Sequence, residues 1–142
     1  MILGLQHIDP QRIAAIDSNG AELRYVDISQ LSQQITSLIP TRSLCFLLVE
    51  NNVGGIAWGM SMIDSHQLVP LILNVKTEDT LYQQLLNTYR PTYICAPNHF
   101  AVQGEIVDSQ YEYTLTKIAN STPALHSELS HLLPTSGSTG SP

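Results

Sequence analysis

Apolar residues recur along this chain with two different periods, and the alternation between those periods predicts its elements. Residues 12–16 and 23–26 are short strand-like runs around Asp17, Ser18, Asn19 and Gly20. Asn-Gly between two such runs is the strongest short-range sign of a β-hairpin, because the tightest turns need backbone of positive φ. Ile28, Leu31, Ile35, Leu38 and Ile39 then repeat at the helical period, with Asp27 placed to cap the helix, Gln30 to reach back to it and Pro40 to end it. Residues 44–49 are continuously apolar, as a strand covered on both faces must be. Asn51 and Asn52 follow as caps of a second helix, on which Val53, Ile56, Ala57, Met60 and Ile63 line one side. Gly54, Gly55 and Gly59 each cost that helix up to about 1 kcal/mol relative to alanine, so they predict close packing against the sheet or an adjoining substrate.

Residues 68–73 form a second apolar strand, and Pro70 inside it places that strand near an edge or at a bulge. Thr77, with Glu78 and Asp79 after it, reads as a helix cap with an acidic first turn. Leu81, Leu85 and Thr88, with Tyr82 and Tyr89 alongside, carry that helix to Arg90 and Pro91, and residues 92–96 make a third short strand. Strands and helices alternating through short connections are the mark of right-handed parallel crossovers. The expected fold class is therefore α/β: a three-layer, mostly parallel sheet with flanking helices plus an N-terminal β-hairpin. Beyond Pro97 the pattern weakens. It predicts a surface loop over 98–110, an antiparallel strand over 111–118, an irregular connection over 120–127 and a short strand over 129–133. Pro134 is an unusual residue to close that last strand.

Composition narrows the function classes. At 142 residues the chain is one domain by length, 1–142, able to bury roughly two thirds of its unfolded surface. Charged residues are 13% of it, against roughly 25% in an average soluble protein. Plentiful Ser, Thr, Gln and Asn make up part of that deficit, and a face meant for a partner makes up the rest. A net charge of -6 with only six scattered Lys and Arg argues against a nucleic-acid surface, so a nucleotide would have to arrive with a metal ion. No apolar run approaches the ~18 residues of a membrane span. The first residues lack the basic and long apolar regions of a secretory leader, and the two absences together predict a cytoplasmic protein. Cys45 and Cys95 fall within apolar strand runs and read as inert core thiols. His126 and His131 share neither a helical nor a strand face, and His7, His66 and His99 have no ligand-spaced neighbour except Asp64, so the histidines make no metal site.

The chemistry is concentrated at residues 132–142. Thr135, Ser136, Ser138 and Thr139 offer hydroxyls, while Gly137 and Gly140 lack the Cβ that would keep a phosphate oxygen from the backbone N–H groups. That is the chemistry of an anion cradle, although the same composition would also serve a flexible linker. No lysine follows Gly140, so it is not a Walker A loop, and Gly137-Ser138-Thr139-Gly140 is not a Gly-x-Ser-x-Gly nucleophile elbow. The order of residues resembles the phosphate-binding loop of the adenylate-forming superfamily of AMP-dependent synthetases and ligases. Acyl-CoA synthetases, luciferases and the adenylation domains of peptide synthetases belong to it. There Thr-Ser-Gly-Ser-Thr-Gly is followed by a variable residue, then Pro and Lys. Thr135, Ser136, Gly137, Ser138, Thr139, Gly140, Ser141 and Pro142 fill that pattern in register. Only these eight residues are a specific motif. The upstream order of hairpin, crossovers, variable loop and strand agrees with the N-terminal part of that fold but is shared by many sheet proteins.

The resemblance implies an enzyme that activates a carboxylic acid with ATP and Mg2+ to an acyl-adenylate, then hands the acyl group to CoA or a phosphopantetheine carrier. It implies that Ser136, Ser138 and Thr139 donate to the β- and γ-phosphates, that Gly137 and Gly140 let the backbone curl, and that Thr135 braces the turn. It also implies an N-terminal fragment. The family's adenine-binding segment, ribose-binding aspartate, acyl pocket and C-terminal lysine lie downstream, so no catalytic residue is expected in 1–142. The remainder of the parent chain would then be its partner, and self-association would follow from the face left uncovered. Four hydrogen bonds to a charged group contribute roughly 6 to 12 kcal/mol, whereas ordering eight residues costs roughly 8 to 16 kcal/mol. Negligible ATP affinity is expected of this stretch alone. The alternative is a small stand-alone α/β binding or interaction domain with a Gly/Ser/Thr tail.

Overall fold

The computed structural model describes Gly4 and residues 7–119. The expected strand over 129–133, the connection over 120–127, His126, His131 and the phosphate-loop segment 132–142 lie outside the described residues. Two strands, β1 (Ile13–Ile16) and β2 (Glu22–Arg24), pair antiparallel as the expected hairpin. Its turn is built on Asp17, whose Oδ1 accepts from the backbone N–H groups of Asn19 and Ala21, with Gly20 at φ 82°. Then follow α1 (Tyr25–Leu38), β3 (Ser43–Val49), α2 (Val53–Ser65), β4 (Leu68–Asn74), α3 (Asp79–Tyr89), β5 (Tyr93–Pro97), β6 (Glu105–Gln110) and β7 (Tyr113–Lys117).

The five longer strands form one sheet in the order β4-β3-β5-β7-β6. β3 is parallel to both β4 and β5, whereas β7 is antiparallel to β5 and to β6, so the sheet is mixed rather than mostly parallel. The reason lies in the connections. Helical crossovers return the chain parallel through β5, but β6 and β7 are joined by two residues, which permits only an antiparallel pair. β4 is an edge strand, one of the two places expected for a strand that carries Pro70.

Alternation along β3 divides the core between the two faces of the sheet. Cys45 and Leu47 point into a cluster with Ile28, Leu31 and Ile35 of α1 and Ala57, Trp58 and Met62 of α2. Leu44, Phe46 and Leu48 point into a second cluster with Val69, Leu71 and Leu85 on the α3 side. Helices thus cover both faces, as a continuously apolar strand demands.

Several expectations need correction. Helix α1 starts at Tyr25, so Tyr25 and Val26 are helical rather than strand. Asp27 lies inside the first turn, its Oδ2 accepting from the Arg24 N–H at 2.8 Å. Thr77 does not cap α3. Its hydroxyl donates back to the Asn74 carbonyl at 2.6 Å, and Glu78 takes the cap position without a side-chain bond. The expected loop over 98–110 contains β6. On α2 the stripe Ile56, Met60 and Ile63 is not the buried side: Ile56 is 43% exposed, while Ala57, Trp58 and Met62 are fully enclosed. A helix apolar nearly all round cannot reveal by periodicity which face is inward.

Candidate functional site at the carboxyl ends of the parallel strands

Because β3, β4 and β5 are parallel, Val49, Asn74 and Pro97 end on the same edge of the sheet. From Val49 the chain turns into α2 on one face. From Pro97 it turns to the other, where Phe100 and Val102 pack with the α3 cluster. Connections that part to opposite faces open a crevice at the carboxyl ends of neighbouring strands, and open α/β sheets bind ligands there.

The turn after β3, Glu50-Asn51-Asn52, forms one lip of this crevice. Asn52 is the N-cap of α2 and its Oδ1 accepts from the Gly55 N–H at 3.2 Å. The same oxygen accepts from the Tyr113 hydroxyl at 2.8 Å, and that hydroxyl accepts from the Glu50 N–H at 3.0 Å. Tyr113 is fully buried, so strand β7 fixes the lip from beneath. Burial holds its phenol above the ordinary range, opposed in part by the hydrogen bonds it makes with Glu50 and Asn52. The hydroxyl is therefore a neutral structural donor rather than a proton shuttle.

Across the crevice, His99 Nε2 stands 3.0 Å from Glu50 Oε2, with the two side chains 65% and 35% exposed. Asn98 is held beside it, its N–H donating to the Glu112 carbonyl and its Oδ1 accepting from Thr114 Oγ1. A carboxylate and an imidazole joined at the mouth of a crevice can bind a polar group or exchange a proton with it.

Next to this polar lip runs an apolar groove of about 340 Å³, between α2 and the β3-β4 part of the sheet. Val49 and Ile72 lie on its floor, Ile56, Met60 and Ile63 on its wall, and Glu50 and the two asparagines at its end. A concave apolar surface of this size with a few polar groups at one end suits a small amphiphilic molecule. Gly55 keeps it open near the polar end, since a Cβ there would meet Val49 at 3.1 Å. Gly54 serves packing instead: a Cβ on it would lie 2.7 Å from the Tyr111 carbonyl oxygen and closer still to the Tyr113 ring.

Neither thiol takes part. Cys45 and Cys95 are buried, and desolvation raises both well above the ordinary range, which leaves them unreactive. Among the described residues, no group of three or more His, Cys, Asp or Glu is placed to hold a metal ion, and no helix is long and apolar enough to cross a membrane.

The residues expected to bind phosphate, Thr135, Ser136, Gly137, Ser138, Thr139 and Gly140, lie outside the described residues. Sequence reasoning took Asn51 and Asn52 as helix caps only and His99 as a scattered histidine, and it did not single out Glu50. The signal that could have found them is positional: each follows a strand of the parallel set at its carboxyl end. Compared with known proteins, the chain matches no family model and no curated protein.

Proposed function

We propose that this chain is the N-terminal part of an AMP-forming ligase that activates a carboxylic acid. The observation that carries the reading is the unbroken order Thr135, Ser136, Gly137, Ser138, Thr139, Gly140, Ser141, Pro142. The parallel strands with helices on both faces are compatible with it. In the reaction, an oxygen of the ionised carboxylate attacks the α-phosphorus of Mg-ATP, the α-β phosphoanhydride breaks, and pyrophosphate leaves. A carboxylate is already deprotonated near pH 7, so the attack needs no general base. Ser136, Ser138 and Thr139 hold the β- and γ-phosphates and stabilise charge on the leaving group, which backbone N–H groups at Gly137 and Gly140 reinforce. The sulfur of CoA or of a phosphopantetheine thiol then attacks the acyl carbonyl, losing its proton, the acyl–phosphate anhydride bond breaks, and AMP leaves as the thioester forms.

Exchange of labelled pyrophosphate into ATP by the complete gene product, across a panel of fatty, aromatic and amino acids, tests this reading. Acid-dependent exchange is expected, and no exchange with any acid would overturn it. For residues 1–142 alone, titration with Mg-ATP by calorimetry is expected to show no binding. A micromolar Kd would overturn the claim that the grip needs the rest of the enzyme.

The groove along α2 favours a second reading, a small α/β domain that binds an apolar ligand. Saturable binding of such a ligand, abolished by Gly59→Leu, together with a gene product lacking all exchange activity, would establish it instead.

A further inference from the structure

The groove along α2 has a direction. Its wall is one row of side chains, Ile56, Met60 and Ile63, at offsets of four and seven. The row runs roughly 10 Å at a helical rise of ~1.5 Å per residue, and Ile56 is 43% exposed, so solvent reaches it. The end of the groove beside Asn52 is polar and negative. Among the described residues that line it, Glu50 is the sole charged one. Its Oε2 stands 3.0 Å from His99 Nε2, while Oε1 has no hydrogen-bond or ion-pair partner among the described residues. A helix N-terminus ordinarily favours an anion, and α2 begins at this end. That demand is already met from the hairpin, where Asp17 Oδ2 accepts from the Val53 N–H at 3.3 Å, while Asn52 Oδ1 takes the Gly55 N–H.

We propose that this groove binds a primary aliphatic ammonium ion, with the alkyl chain along Ile56, Met60 and Ile63 and the head on Glu50 Oε1. The exposed Asn51 at the same end offers a side-chain carbonyl as a second acceptor. An ammonium carries three donors and no acceptor, which suits a carboxylate oxygen beside an amide carbonyl. A carboxylate on the same chain is disfavoured, because it has the sign of Glu50 and of the net charge of -6, and no Lys or Arg among the described residues lines the groove. The ligand is therefore of another class than the acid that the ligase reading activates. The inference rests on the groove being a ligand site, the second reading above, and specifies what that site accepts.

Two-dimensional NMR titration of the 142-residue chain at pH 7 and low salt tests it, with n-octylamine, n-octanol and sodium octanoate as ligands. The amine is charged there, as lysine is. Octylamine is expected to shift the amides of Gly55 and Gly59, which line the groove. It should bind roughly fivefold or more tightly than octanoate, with octanol between them. Shortening the amine should weaken binding about two- to fourfold per methylene removed. Glu50→Gln is expected to bring the amine to the affinity of octanol and to leave octanol unchanged. Equal binding of all three ligands, or an amine advantage that survives Glu50→Gln, would overturn the ammonium assignment while leaving the groove a ligand site. If none of the three moves Gly55 or Gly59, the groove reading falls with it. A chain that sediments as a dimer, with those two signals broadened before any ligand is added, would give the groove to a second copy and overturn the proposal as well. Pyrophosphate exchange can fail without moving any of these readouts, so the ligase reading is tested separately.

Discussion

Tyr113 shows how one buried hydroxyl holds the candidate site together. It joins the backbone of Glu50 to the side chain of Asn52 from a strand more than sixty residues away in sequence. Tyr113→Phe leaves the Glu50 N–H without its acceptor, and a loss of about 1 to 3 kcal/mol is expected in urea unfolding. Gly54→Ala forces a Cβ against the Tyr111 carbonyl and the Tyr113 ring. It is expected to cost about 1 to 3 kcal/mol as overpacking, measured in the same assay. The sequence made the need for a close neighbour at Gly54 legible, because three glycines in a short helix require one. It could not name the neighbour, since nothing local to residues 53–65 refers to Tyr111 or Tyr113.

At the scale of elements, the strongest local signals were the most faithful. Asp17 to Gly20 makes the hairpin turn and Asn52 caps α2, both through side-chain oxygens that accept from nearby backbone N–H groups. Asn52→Ala removes that cap and the acceptor of the Tyr113 hydroxyl together. A loss of about 1 to 2 kcal/mol is expected, with the Tm lowered and the 50–55 amides exchanging faster. Strand β6 was not legible. Its turn to β7 consists of Tyr111 and Glu112 at φ 56° and 62°, a conformation that glycine and asparagine usually advertise and these residues do not. Glu112→Gly should relieve left-handed strain and raise stability by up to about 1 kcal/mol. A lowered Tm would show that the Glu112 side chain contributes more than its backbone costs.

Across the whole molecule, buried thiols and phenols set the response to alkali. Desolvation raises Cys45, Cys95, Tyr93 and Tyr113 above their ordinary values in the folded chain. A group whose folded pKa is raised stabilises fully below its unfolded pKa, and that contribution is lost as pH climbs toward the folded value. With unfolded thiols near 8.5 and phenols near 10, the Tm under reducing conditions is expected to hold to about pH 8 and then fall steadily. A flat profile to pH 10.5 would mean that these groups ionise in place.

By itself the sequence determined the hairpin, three helices, the apolar strands β3, β4 and β5, the choice of edge or bulge for β4, and a specific order of hydroxyls and glycines at 135–140. Each is written in residues close together along the chain, through periodicity, capping or turn chemistry. Only the tertiary structure decided which side of α2 faces inward, that β6 joins the sheet, and that Glu50 and His99 meet across one crevice. Those outcomes depend on strand order and on contacts between distant residues. A pattern read along the backbone carries the period of an element, but not the identity of what packs against it.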